Sequence, residues 1–148
     1  MKLPLAVALG VLLGFGILTS HAQEPVVRDA AVLARQSLMQ EAKAALGLLS
    51  NMSGHSLRFD KKAARRAKRQ LSSTLRRIPR HFDAPHMDDH SRALPRIWQD
   101  KAGFDAAAAR ARRAARAIEP RSLPALRRSL PQAVSACLAC HRSYRRPP

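Results

Sequence analysis

SACLACHRSYRR, residues 135–146, holds both cysteines of the chain, Cys137 and Cys140, with His141 directly after the second. On a helix the two thiols stand three residues apart and Cys137 and His141 four apart, so all three share one face. The surrounding residues support a helix, because Leu126, Leu130, Ala133, Cys137, His141 and Tyr144 recur three and four apart. A disulfide between residues this close would close too small a loop to stabilise much. A thioredoxin-like redox pair belongs at a helix N-terminus in a strand-rich fold, whereas this pair lies deep in a helical stripe. Zinc would want four ligands, and His141 is the one further ligand nearby.

Cys-x-x-Cys-His is instead the signal for covalent attachment of one haem c. Cys137 and Cys140 would anchor the porphyrin edge through thioether bonds, and His141 would reach the iron as an axial ligand. Attachment of this kind fits an exported protein, and the N-terminus agrees. Lys2 precedes an apolar run from Leu3 to Leu18, and Ser20 and Ala22 are small residues suited to cleavage. Residues 1–22 therefore read as a cleaved signal peptide to the periplasm and residues 23–148 as one domain. A retained anchor is the competing reading, opposed by the shortness of the run and by Pro4, Gly10, Gly14 and Gly16 within it.

Upstream of the motif helix, from about Leu123 to Arg145, three further helices are expected and no strand. The first spans about Pro25 to Ser50, with Val32, Met39, Leu46 and Ser53 spaced by seven and Arg35, Ala42 and Leu49 between them. A second, about Asp60 to Ile78, puts Ala64, Ala67, Leu71, Thr74 and Ile78 on one face before Pro79 ends it. A third, about Arg96 to Ile118, does the same with Phe104, Ala108, Ala111, Ala115 and Ile118. The loop from Pro79 to Leu94 carries His81, His86 and His90, read as solvated loop residues. The expected fold is all-α, an antiparallel four-helix bundle with the haem on the C-terminal helix. Its own core is thin: helices two and three are rich in Ala and Arg, and a large apolar cofactor would supply the missing bulk.

The chain resembles the class II c-type cytochromes, the cytochrome c' family and its methionine-ligated low-spin relatives. The resemblance is carried by RQSLM (35–39), PRIWQDKAGFDAAAA (95–109) and CLACHRSYR (137–145). In that family the position of Met39 faces the iron opposite the histidine. The resemblance thus implies His141/Met39 ligation and a carrier of single electrons rather than an enzyme. The alternative is a five-coordinate c'-type protein binding NO or CO, with Met39 off the iron or easily displaced. Read without the resemblance, Met39 is an ordinary core methionine. Arg35, one turn earlier, would pair with a haem propionate as the family's arginine does, or snorkel to solvent. Trp98, Phe104 and Tyr144 are candidates for haem packing, or plain core.

The formal net charge is +17, and Lys and Arg crowd 61–70 and 110–116. With few aromatics for stacking and no reading motif, nucleic acid is not the expected partner. Such a surface suits redox partner proteins acidic at their docking face, with contact to an anionic membrane surface a second possibility. Monomer and homodimer both remain open.

Overall fold

The computed structural model describes residues 29–147. The expected signal peptide, residues 1–22, lies outside them, as do residues 25–28 of the expected first helix. Four long helices form an antiparallel bundle: α1 (Ala30–Ser53), α2 (Lys61–Arg77), α4 (Lys101–Ala117) and α5 (Leu123–Tyr144). A 3₁₀ turn, Ile78–Phe82, follows α2, and a four-residue helix, α3 (Arg96–Gln99), precedes α4. No strand occurs among the described residues, only a single bridge pairing Ala93 with Arg145.

Each long helix starts on a side-chain cap that satisfies otherwise orphaned N–H groups. The Asp29 carboxylate accepts from Ala31 and Val32, that of Asp60 from Lys62 and Ala63, that of Asp100 from Gly103, and the Ser122 hydroxyl from Ala125. Pro79 does not simply stop α2 but tightens it into the 3₁₀ turn, which brings Phe82 into the core.

The expected faces of the second and third helices are buried as read, Ala64, Ala67, Leu71, Thr74 and Ile78 against Phe104, Ala108, Ala111, Ala115 and Ile118. The thinness of the core is real: where α2 meets α4, most of the buried side chains are alanines, which let the backbones approach closely. Two expectations are corrected. The third helix is not continuous from Arg96, because the backbone of Asp100 leaves the helical region (φ −126°, ψ 58°) to cap α4. On α1 the buried stripe is Val32, Arg35, Leu38, Ala45, Leu49 and Met52, while Met39, Ala42, Leu46 and Ser53 are half-buried beside it.

The break at Asp100 does more than begin a helix. Its Oδ1 accepts from the Gly103 amide at 3.1 Å and its Oδ2 from the Tyr144 hydroxyl at 2.9 Å, tying α4 to the end of α5. A Cβ on Gly103 would lie 2.2 Å from Oδ2 and 2.6 Å from Cγ of that carboxylate. Gly103→Ala should gain up to about 1 kcal/mol of helix propensity and lose roughly 2–3 kcal/mol of cap and hydrogen bond. The expected net is a fall in melting temperature of about 4–8 °C, read by circular dichroism. An unchanged melting temperature would refute this reading of the glycine.

Candidate haem site

The haem motif lies where the packing of α5 loosens. The stripe that buries Leu126, Leu130 and Ala133 continues through Cys137, Cys140 and His141 to Tyr144, and it is buried again at Tyr144. The three motif residues between are only half-buried, and Leu138 beside them is 52% exposed. Periodicity would bury these positions. Their half-exposure along an otherwise closed seam is what a bound apolar group would cover.

The opposing wall comes from α1. Glu41 bonds to Thr74 of α2 at 3.0 Å and pairs with Arg77, which fixes the flank of α1 that faces α2. At roughly 100° per residue, Met39 and Leu46 lie about 160° and 140° away from Glu41 around the helix. That flank lies away from α2, and α5 is the other long helix packed on α1. Met39, Ala42 and Leu46 are half-buried and apolar there.

The loop between the 3₁₀ turn and α3 closes this end of the bundle, and Arg35 holds it. The Arg35 side chain is 5% exposed. Its Nε donates to the His81 carbonyl at 2.5 Å, and its two terminal nitrogens to His86 at 2.6 Å and Ala84 at 2.8 Å. The guanidinium also lies over the rings of Phe82 and Trp98, 4.6 and 5.3 Å from their centroids. Rather than snorkelling to solvent, Arg35 takes these loop partners, brought within reach by the 3₁₀ turn that Pro79 opens. On the far side of the same loop, Leu94 donates to the Tyr144 carbonyl at 3.0 Å and Arg146 to that of Arg92 at 2.8 Å. The loop therefore bridges α1 to the end of α5.

The loop histidines are not uniformly solvated: His86 is exposed and 3.2 Å from Asp29, whereas His81 and His90 are half-buried. The aromatic candidates divide too. Phe104 and Tyr144 belong to the core, edge to face at 5.4 Å, with Phe82 5.0 Å from Phe104. Trp98 is half-buried and donates from its indole to the Phe82 carbonyl at 2.9 Å. The sequence reading missed Asp100 and Phe82. For Asp100 a signal existed, an aspartate three residues before a glycine at a helix start; for Phe82 none did.

Burial shapes the chemistry of the motif. It pushes both thiols up, and at Cys140 the neighbouring Cys137 adds to the effect while Arg110 opposes it. It pulls His141 down, helped by the positive charges of Arg145 and Arg92. A neutral imidazole keeps a lone pair for a metal. The donor set fits haem c: two thiols one helical turn apart, an imidazole one residue on whose pKa is pulled down, and an apolar wall on α1.

Solved structures share the fold. Cytochrome c' from Rhodopseudomonas palustris superposes with a TM-score of 0.74 at 21% identity, covering 81% of this chain and 98% of that one. Cytochrome c' from Rubrivivax gelatinosus gives 0.71 at 23%, covering 78% and 94%. A ferrous variant of cytochrome c prime from Alcaligenes xylosoxidans with bound NO gives 0.72 at 20%, covering 80% and 94%. No match emerges among individually curated proteins. The family model for Cytochrome C' matches residues 30–145. That span runs from the first turn of α1 to the residue that closes α5, taking in bundle and motif together: the chain belongs to the cytochrome c' family and carries one covalently attached haem c.

Proposed function

We propose that this is a periplasmic haem c protein of the c' type, which binds a small diatomic gas such as NO or CO on the face of the haem turned toward α1 and turns over no substrate. The observation that carries the reading is the chemistry of that wall. Met39, Ala42 and Leu46 offer no N–H or O–H; Arg35, one turn before Met39, donates to three loop carbonyls, and Gln36 is engaged with the His90 carbonyl at 3.3 Å. Such a surface excludes water and favours a neutral, weakly polar ligand over an anion. The NO-bound relative of the same fold supports it. The periplasmic location rests on the N-terminal sequence.

When bound, the haem supplies an iron centre able to change oxidation state and take a sixth ligand. The chain's own residues do the rest. Cys137 and Cys140 would hold the porphyrin on α5 through thioethers, and His141, whose pKa burial pulls down, would offer a ring nitrogen to the iron. Met39, the one methionine on the α1 flank away from α2, would offer a thioether sulfur in competition for the iron. Its place there favours a second reading, an electron carrier in which Met39 stays bound and acidic redox partners dock on the basic surface.

Optical spectra of the holoprotein, oxidised, reduced, and reduced under CO, separate the two. The gas-binding reading expects a reduced spectrum that CO transforms. Met39→Leu should then tighten apparent CO affinity, roughly tenfold if the thioether occupies the iron in about nine molecules of ten. A low-spin spectrum with a methionine–iron charge-transfer band, indifferent to CO, would establish the electron carrier instead.

A further inference from the structure

The two ends of the bundle differ in how far acidic residues offset their basic ones. The haem end gathers α1's start, the loop, α3 and the end of α5. Asp29, Asp83, Asp88, Asp89, Asp100 and Asp105 all lie there. The other end gathers the α1–α2 turn, the start of α2, the α4–α5 turn and the start of α5, with Arg127 donating to the Ser53 carbonyl at 2.9 Å to join α5 to α1. Among the described residues its acidic side chains are Asp60, engaged in capping α2, and Glu119, paired with Arg121 at 2.7 Å.

At this end Arg65, Lys68 and Arg69 of α2 face Pro120 and Arg121 across a shallow cleft of about 370 Å³. Four cationic side chains thus line one small space, against a single neighbouring carboxylate. At the same end of the bundle, Leu57 in the α1–α2 turn is 44% exposed and is followed by exposed Arg58. No aromatic side chain lines the cleft, so a nucleobase would find nothing to stack on. Concentrated positive charge around a protruding aliphatic side chain is the combination that engages an anionic lipid surface: the cations take the phosphates and the leucine enters between headgroups.

We propose that this end of the bundle docks on a bilayer rich in anionic phospholipid, with the cleft of Arg65, Lys68, Arg69 and Arg121 receiving lipid phosphates and Leu57 dipping among the headgroups. The motif lies on α5 about 21 Å from that helix's start, so docking leaves the haem end turned to the aqueous side, free for gas or partner. The inference rests on the bundle and its charge, not on what occupies the sixth position of the iron.

The test is co-sedimentation of the holoprotein with phosphatidylcholine vesicles with and without phosphatidylglycerol, at low and high salt. Binding should require phosphatidylglycerol and reverse in salt. Arg65→Glu, Arg69→Glu and Arg121→Glu together should weaken it at least about tenfold. The matched triple at exposed sites toward the other end, Arg76→Glu, Arg80→Glu and Arg96→Glu, should leave most of it. Leu57→Ser should weaken it severalfold without changing charge. An unaltered haem spectrum and helical content certify each variant as folded. The proposal is overturned if phosphatidylglycerol vesicles fail to bind, if both triples lose binding equally, which would make net charge sufficient, or if single-stranded DNA is retained while vesicles are not.

Discussion

Arg35→Ala is expected to lower the melting temperature by about 10 °C. Three hydrogen bonds from one buried guanidinium end on three carbonyls of the loop, and its flat face covers Phe82 and Trp98. Hydrogen bonds to a charged group contribute about 1.5–3 kcal/mol each where both partners stay buried. Ala84 and His86 are exposed and their carbonyls can return to solvent, which brings the net to roughly 2–4 kcal/mol. For a domain of this length, that corresponds to about 4 °C per kcal/mol. Burial pulls the guanidinium's pKa down and the charge of Asp29 opposes this, yet it stays a cation. Arg35→Lys should recover little, because one ammonium cannot span three carbonyls in a plane. Thermal unfolding of the three proteins, with amide exchange of residues 82–92, checks both parts. A melting temperature for Arg35→Ala within a degree of the parent would remove Arg35 from its role as the loop's anchor.

Replacing Cys137 and Cys140 together with alanine is expected to abolish covalent haem. Each thiol can form one thioether, so either single variant should keep a haem held by one bond, and the double variant none that survives denaturation. Haem staining after denaturing electrophoresis reads this directly, on protein matured in a host competent for c-type cytochromes. The consequence reaches the fold. Cys137 and Cys140 lie on the seam between buried Ala133 and buried Tyr144, and they are half-buried themselves. A bundle whose α2–α4 contact is largely alanine has little apolar bulk in reserve, so the double variant should also lose helical content and melt over a broader range. A sharp, unshifted transition would show that the bundle does not depend on its cofactor.

Local spacing made much of this readable. The motif and its helix, the buried faces of α2 and α4, and the all-α class follow from residues three and four apart, which a helix places together whatever surrounds it. Boundaries set by a single capping side chain were less legible. Asp100 reads as an interior helical residue until its two partners, Gly103 and Tyr144, are seen to hold it out of the helix. The stripe on α1 was misread for a related reason. A seven-residue repeat fits both Met39 and Leu38 nearly as well, and which of them is buried depends on where α2 and the loop press against the helix.

What the sequence determined by itself is the chemistry that needs only neighbours: two thiols and an imidazole on one turn, and the helix that carries them. What only the tertiary structure decided is every partnership across the bundle. Arg35 finds carbonyls 46 to 51 residues away, Glu41 of α1 finds Thr74 and Arg77 of α2, and six aspartates scattered along the chain collect at the haem end. Those outcomes depend on how four helices lie against one another. No periodicity within any one helix encodes that arrangement.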